Sequence, residues 1–322
     1  MLRTRRLRPA TSPSRSPGSR RAAGATALLL LAWLAPSAAT GQIVLRDDEE
    51  LRFDRPEAWA MAWFAALTLP NGVGGPDELS PGEVELAFEG GWVPSLSEEE
   101  RRVGFRGTKV EDLNRTAAVG RPTITVGLPA GWTLEAGWMP PLDVDGIEPD
   151  LLSLAVAKTL WRGERLLLAA RVTGEDGSFR GDLTCSRDDV RRGPDLDSPV
   201  FIDCEAPSDD EQELTIWGGE LQAAFPLPGS ERVAPYASVG WARLDAALQI
   251  DARYNGILDR SRLSTEGSFW TAAAGLEWQP SSRWRVAAEL FYAPLDVVRR
   301  GGAGRETDAV VNARALLAYR VR

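Results

Sequence analysis

The chain has 322 residues, 43% of them hydrophobic and 26% charged, so it is too apolar to be disordered and long enough for one large domain or two small ones. Its formal net charge is −9, and because phosphate contacts need basic surface, this balance argues against nucleic-acid binding. It contains no histidine, which excludes hydrolases built on a Ser–His or Asp–His pair and removes the commonest zinc ligand.

Residues 1–41 have the composition of a secretory signal peptide. Seven arginines and no acidic residue precede AAGATALLLLAWLAP, an apolar run of about 15 residues, and small residues allow cleavage after Ala39 or Gly41. Removal of this leader would leave 30 basic and 46 acidic residues, a net charge of −16. After residue 41 no apolar run reaches the roughly 18 residues that a membrane-spanning helix needs.

The segment 42–69 divides into a polar part and an apolar part. Residues 42–57 are polar and predict a short periplasmic lead-in. Residues 58–69, AWAMAWFAALTL, are rich in helix-forming alanine and leucine, but a helix of this sequence would have no polar face. Because its large side chains alternate with alanines at first, we favour a strand, whose partner could be residues 101–107, RRVGFRG.

Ten further segments alternate apolar and polar side chains with the period of two that is typical of β-strands. These segments are 83–93, 123–128, 132–138, 152–156, 166–172, 213–226, 232–248, 268–278, 284–293 and 308–321. With 58–69 and its partner the count becomes twelve, which we prefer to ten. The class is therefore all-β, and the alternatives are a transmembrane barrel and a secreted β-sandwich.

Aromatic residues at the strand ends favour the membrane barrel. Trp270 and Trp278 are eight residues apart, about 26 Å of extended chain, which at a tilt of about 40° projects to about 20 Å. This length is close to the apolar band between the two aromatic girdles of a membrane barrel, whereas a soluble core gives tryptophan no reason to lie at strand ends. The predicted girdle residues are Trp132, Trp138, Trp270, Trp278, Trp284 and Tyr292.

The connections between the predicted strands alternate in length. Long connections such as 94–120 and 174–212 are separated by short turns such as PAG, RGE and QPSSR. A transmembrane barrel has this asymmetry, with short periplasmic turns and long outer loops, and an even number of strands leaves both termini in the periplasm. We therefore predict a transmembrane antiparallel up-and-down β-barrel over residues 58–322.

Charged side chains fall on the face of the predicted strands that is opposite to the apolar one. Acidic and basic residues share this face, so we expect them to line the lumen and neutralise one another. A carboxylate pair could act as acid and base, but mutual neutralisation is the simpler account, and we predict no catalytic residues, metal site, cofactor or enzymatic activity. The predicted lumen-facing residues are Glu85, Glu135, Arg171, Glu277, Arg285, Glu289 and Arg314.

The long connection 174–212 contains both cysteines and many acidic residues. In an oxidising compartment, Cys185 and Cys204 predict a disulfide, which would contribute roughly 3 kcal/mol by closing a loop of about 20 residues. The acidic residues of 182–213 could bind calcium through their oxygen atoms. Their spacing matches no EF-hand, and the alternative is that they are only solvated.

These features together resemble the bacterial outer-membrane β-barrel superfamily. The stretches that carry the likeness are WTLEAGW, FWTAAAGLEW, RWRVAAELFY, APYASVGWARLDA and VNARALLAYRV, and GRPTITVGLPAGWTLEAGWMPP is similar to hairpins of the fatty-acid-transporter type of barrel. The resemblance implies the outer membrane of a Gram-negative bacterium as the location. It implies the lipid bilayer, lipopolysaccharide and the barrel assembly machinery as partners. The chain departs from the family at its end, where Tyr319 and not the last residue, Arg322, is aromatic.

Two functions follow from such a barrel. A wall of ten to twelve strands encloses a narrow lumen, and polar residues inside it suit a narrow channel or transporter for small solutes. The alternative is a non-transporting surface or structural barrel whose long acidic loop contacts lipopolysaccharide or a protein partner. We favour the channel or transporter.

Overall fold

A computed structural model describes residues 42–76, 79–194, 200–227, 229, 232–299 and 304–321. The signal peptide predicted for residues 1–41 lies outside this part of the chain, as do Asp195 and Asp197 of the acidic loop. The statements below concern only the described residues.

Ten strands form a closed antiparallel barrel, in which each strand pairs with its neighbours in sequence and the last strand pairs with the first. The strands are β1 (Val84–Trp92), β2 (Ala118–Leu128), β3 (Trp132–Met139), β4 (Ile147–Arg162), β5 (Leu167–Gly181), β6 (Asp210–Ala224), β7 (Val233–Gln249), β8 (Arg262–Trp278), β9 (Trp284–Ala293) and β10 (Val310–Arg320). Each of the ten alternating segments that the sequence predicted lies wholly or largely in one of these strands.

The alternation along each strand separates an apolar outside from a more polar inside. On β8, Trp270, Leu276 and Trp278 are more than half exposed, whereas Phe269 and Glu277, each adjacent to at least one of them, are buried. Large apolar side chains are exposed on the outer face of all ten strands. A protein surrounded by water rarely exposes a continuous apolar belt of this kind, so the outer face needs an apolar environment.

The two ends of the barrel differ in the length of their connections. One end, which we call the short-turn end, has connections 129–131, 163–166, 225–232 and 279–283. The other, which we call the long-loop end, has connections 93–117, 140–146, 182–209, 250–261 and 294–309. The predicted alternation of long and short connections therefore holds along the whole barrel, although 140–146 is one residue shorter than 225–232. β4 and β5 extend further toward the long-loop end than the sequence predicted.

Residues 58–69 are not a strand, so that prediction is wrong. They belong to a helix, α1 (Pro56–Thr68), which begins with proline at a position where its missing N–H costs nothing. All residues of α1 except Phe64 are buried, because the helix lies inside the barrel and is surrounded by wall and loop side chains. A helix enclosed on every side needs no polar face, which removes the objection to a helix. Across the described residues, no helix combines the length and apolar character that crossing a membrane requires.

Residues 101–107 are not a barrel strand either. Within this segment Arg102–Val103 pairs with Lys109–Val110 inside a long connection, and Phe105 and Arg106 turn the chain with positive φ values of 48° and 62°. The twelve-strand prediction is therefore not confirmed, and the described barrel has ten strands.

The N-terminal segment passes through the barrel from end to end. Ile43–Leu45 and Asp48–Leu51 pair in parallel with Ile257–Asp259 and with the start of β8, both at the long-loop end. The chain then runs inward as α1 and emerges at the short-turn end, where the Gly82 N–H donates to the Gly127 carbonyl. The lead-in therefore lies at the same end of the barrel as the long connections. The sequence predicted the lead-in in the periplasm and the long loops outside the cell, and these two predictions exclude each other.

Small elements cover the long-loop end. A four-stranded sheet joins Ile43–Leu45, Ile257–Asp259, Ala252–Tyr254 and Cys204–Ala206. The short helix Arg187–Arg192 precedes the strand Cys204–Ala206 in sequence. The predicted disulfide between Cys185 and Cys204 is present. It joins the beginning of the connection 182–209 to the strand Cys204–Ala206 of this sheet.

Candidate functional site

All seven residues predicted to face the lumen are buried inside the barrel, where they pair instead of lining an open passage. The Arg171 guanidinium contacts Glu135 at 2.6 Å and Glu220 at 3.5 Å. The Arg285 guanidinium contacts Glu85 at 2.5 Å, with a longer contact to Glu277. The remaining two, Glu289 and Arg314, contact the N-terminal segment.

Sequence reasoning missed further members of this network. Arg121 on β2 contacts Glu175 at 2.6 Å and Glu89 at 3.3 Å, and all three side chains are buried. Glu220 on β6 was missed as well. For Glu175 the sequence contained a signal, because residues 171, 173 and 175 alternate onto the same face of the strand. It was missed because the strand was predicted to end at residue 172, before Glu175.

Two arginines of the wall hold the C-terminal end of α1. The last carbonyls of a helix have no partner within the helix, and a cation there is favourable. The Arg314 guanidinium donates to the Ala66 carbonyl at 2.8 Å and to the Leu69 carbonyl at 3.1 Å. The Arg121 guanidinium donates to the Thr68 carbonyl. These contacts fix the helix in the lumen by its own backbone.

The segment after α1 fills the rest of the lumen with hydrogen bonds to the wall. The Asn71 amide donates to Glu289 at 2.7 Å, and the Gly72 N–H donates to Glu220 at 2.7 Å. The Gly74 N–H donates to the hydroxyl of Tyr236 at 3.0 Å. Gly74 has a φ of +100°, and a Cβ atom there would lie 2.4 Å from the Arg285 guanidinium, so glycine is required.

The six predicted girdle residues are exposed on the outer face, three toward each end of the barrel. Trp132, Trp278 and Trp284 lie toward the short-turn end, and Trp138, Trp270 and Tyr292 toward the long-loop end. Additional aromatic residues extend both rows, since the rings of Trp217 and Trp241 are 5.2 Å apart and those of Trp284 and Tyr319 are 4.9 Å apart.

A closed sheet leaves no edge of unpaired backbone groups, and this one has an apolar outer face bounded by aromatic side chains. Only a closed barrel lets strands cross a bilayer, because hydrocarbon offers the backbone no hydrogen-bond partners. The chain has the construction of a membrane-spanning β-barrel. In such a barrel the apolar outer face lies against lipid.

Comparison with known proteins finds similar structures only. No protein-family model matches the chain, and no curated protein matches it. Ail, the attachment invasion locus protein of Yersinia pestis, is 15% identical with a TM-score of 0.29, covering 75% of this chain and 99% of its own. The outer membrane protease OmpT from Escherichia coli is 11% identical with a TM-score of 0.35, covering 74% and 92%. The toluene transporter TodX of Pseudomonas putida is 12% identical with a TM-score of 0.30, covering 87% and 78%.

The barrel has a cavity of about 460 Å³ at its long-loop end. The volume is in the range of small-molecule sites. The floor of the cavity is α1, and the walls come from the lead-in and from three of the long connections. The apolar and aromatic lining residues include Ala60, Met61, Phe64, Phe105, Leu248, Ile250 and Tyr254.

Carboxylates dominate the charged groups around this cavity. One oxygen of Glu57, Oε1, accepts from the Arg55 guanidinium at 2.9 Å and from the Arg106 N–H at 2.6 Å. Its other oxygen, Oε2, is buried and has no hydrogen-bond partner among the described residues. Asp259 accepts from the hydroxyls of Tyr254 and Ser261, both at 2.6 Å.

A second polar cluster joins two of the long connections beside the cavity. The ammonium group of Lys109 donates to Glu111, to Asp189 at 3.0 Å and to the Thr184 carbonyl at 2.9 Å. Burial raises the pKa of Glu111 to about 7, against the opposing effect of Lys109. Burial also opposes ionisation of Asp189, but Lys109 and the hydrogen bonds from Ser186 hold its pKa below the usual value. Of the two carboxylates, Glu111 is therefore the one whose pKa lies near neutrality.

Several acidic residues of 182–213, for which calcium binding was one of two interpretations, already have partners. Asp182 accepts from the Arg115 guanidinium and from the Arg187 N–H, and Asp210 accepts from the Thr184 and Asp251 N–H groups. Over the described residues, no group of carboxylate or cysteine side chains has the arrangement of a metal site. Calcium binding by this loop remains a hypothesis.

Proposed function

We propose that this barrel is a gated transporter for small solutes, closed in the described state by its own N-terminal segment. The observation that carries the proposal is the position of the cavity, which opens at the long-loop end and ends on α1. A solute bound there lies directly above the element that blocks the lumen. Displacement of residues 56–76 would connect this site to the short-turn end.

The proposal differs from an open channel. With its side chains an α-helix is about 10–12 Å across, and the lumen of a ten-stranded barrel is narrow. Below α1, residues 71–74 bind the wall directly, which supports a lumen that is obstructed in this state. We therefore expect transport to require movement of residues 56–76, which we call the plug.

A non-transporting surface barrel is the second candidate, and the contacts of Arg121 and Arg314 with the end of α1 favour it, because they stabilise the plug. In that role the connection 182–209 would present acidic residues to lipopolysaccharide or to a protein partner. We propose no catalytic role for the lumen carboxylates, since each one named above contacts an arginine or another wall or plug group.

Conductance in planar bilayers tests the transport proposal. We expect the wild-type protein to give no stepwise conductance. Arg314→Gln should give it, because glutamine is too short to reach the carbonyls of both Ala66 and Leu69 and so loosens the plug. The matched control is Arg243→Gln, which removes an exposed ion pair with Glu266 on the outer face and should stay silent.

Each variant must first show the different gel mobility of boiled and unboiled samples that folded barrels give. If folded Arg314→Gln is as silent as wild type, and if neither protein admits small polar or aromatic solutes into proteoliposomes, the transport proposal fails. The surface barrel then remains.

A further inference from the structure

We infer that the cavity at the long-loop end binds a small molecule with an aromatic body and a cationic, hydrogen-bond-donating head, of which a primary arylalkylamine is the simplest example. This inference rests on the proposed function in that the bound molecule would be the solute. The binding site itself is argued from three features of the cavity: its lining, its charge and one unpartnered carboxylate oxygen.

The lining suits an apolar, preferably aromatic, body. Met61 and Phe64 of α1 form the floor, and Ile250 lies on the wall. Phe105 and Tyr254 also line the cavity and pack edge to face, with ring centroids 5.3 Å apart. Aromatic side chains at a wall attract both apolar rings and cations.

The charge of the cavity favours a cation over an anion. Five carboxylates line it but only two arginines. One of the five, Glu111, is paired with Lys109, which leaves four carboxylates. Arg55 is already shared between Glu49 and Glu57. Asp259 is buried with hydrogen bonds from hydroxyl and N–H groups, and it has no ion pair among the described residues. An anionic ligand would add to this surplus of negative charge, whereas an ammonium group would reduce it.

Glu57 gives the head group a specific acceptor. The residue lines the cavity and is only 9% exposed, and its Oε2 atom has no partner among the described residues. A buried carboxylate oxygen without a hydrogen bond is costly, so a donor that reaches it gains more than an ordinary contact. Oε2 is inaccessible in this state, and because the terminal torsion of glutamate is broad, the carboxylate can rotate to present it to a ligand.

Three probes that share an aromatic body test the inference on the full-length protein in lipid nanodiscs. They are 2-phenylethylamine, 2-phenylethanol and 3-phenylpropionate, measured by equilibrium dialysis at neutral pH with empty nanodiscs subtracted. We expect the amine to bind saturably at one site per barrel, the alcohol to bind more weakly and the carboxylate not to bind. Equal binding of amine and carboxylate would overturn the inference.

Variants of the cavity residues test whether the amine binds in this cavity and whether Glu57 holds its head group. Glu57→Gln should weaken binding of the amine about tenfold, because a charge-assisted hydrogen bond is lost, and should change binding of the alcohol much less. Ala60→Leu should reduce binding of both by filling the floor of the cavity. The matched control is Glu266→Gln, which removes an exposed carboxylate on the outer face and should leave binding unchanged.

Unchanged amine binding in folded Glu57→Gln would refute the role of Glu57. If that variant does not fold, Asp259→Asn and Ala60→Leu decide, and the inference fails if both bind the amine as wild type does. Failure of the transport proposal gives a different result, namely saturable binding of the amine by a barrel that neither conducts nor takes up solute.

Discussion

The ammonium group of Lys109 links two long connections. It contacts Glu111 in its own connection, 93–117, and Asp189 in the connection 182–209. Two carboxylates share one cation there, and the more deeply buried of them, Glu111, has its pKa raised to about 7. Between the ordinary pKa of a glutamate and pH 7, the folded state binds this proton more strongly than the unfolded state does. The stability of these connections therefore falls as the pH rises through that window.

The variant Glu111→Gln tests this titration. At pH 5 it should match wild type, because Glu111 is then protonated. At pH 8 we expect its opening free energy to exceed that of wild type by about 1–3 kcal/mol, since one pKa unit corresponds to about 1.4 kcal/mol. Hydrogen exchange of residues 93–117 at the two pH values measures the difference. Glu98→Gln, which changes an exposed carboxylate in the same connection, should show none, and a gain from Glu111→Gln that is equal at both pH values would contradict the assignment.

At the residue scale, alternation predicts which side of the wall a side chain faces but not which partner it meets. Glu135 and Arg171 lie on the inner face because successive strand residues point to opposite sides. Their contact reaches across β4, since Glu135 is on β3 and Arg171 is on β5. That contact depends on the stagger of three strands and on the curvature of the wall, which no single segment of sequence contains.

Among the elements, α1 was predicted as a strand and is a helix. Its large side chains alternate with alanine only over a few residues, and its composition favours a helix. The deciding fact is its position, because a helix without a polar face is stable only where it is enclosed on all sides. The ten wall strands were predictable for the opposite reason. Each faces lipid on one side and the lumen on the other, so each contains its own alternation.

The disulfide-linked connection 182–209 should behave as a separate element. The double variant Cys185→Ser/Cys204→Ser should lose roughly 3 kcal/mol of stability in this connection, because a closed loop of 19 residues in sequence separation is released. Hydrogen exchange should then rise in 182–209, with the barrel strands unchanged, since their pairing does not involve the cysteines. Equal loss of protection in β5 and β6 would show that loop and wall unfold together.

At the scale of the whole molecule, the ten alternating wall strands could be predicted from repetition, but the two further strands that would have made twelve were not confirmed. The passage of the N-terminal segment through the lumen could not be predicted. The sequence of 42–57 is polar and fits either end of the barrel. Its place depends on pairing with residues 257–265, which are more than 200 positions away in sequence.

Labelling of intact cells with a membrane-impermeant maleimide tests this path. Single cysteines replace Ile43, Arg253 and Ser282, and the native disulfide does not react. We expect Ile43→Cys to be labelled to the same extent as Arg253→Cys, because both lie at the long-loop end, and Ser282→Cys in a short turn to be protected. Labelling of Ile43→Cys that instead follows Ser282→Cys would refute the passage through the lumen.

Closure between the first and last strands has a consequence for biogenesis. The N-terminal segment must either be in place before β1 and β10 pair, or be inserted through a barrel that is already closed. Late threading would have to force bulky tryptophans past guanidinium–carboxylate pairs that are costly to break. We therefore expect the N-terminal segment to act as a template around which the strands assemble. Docking of the C-terminal strand against β1 then closes the barrel with the segment already inside.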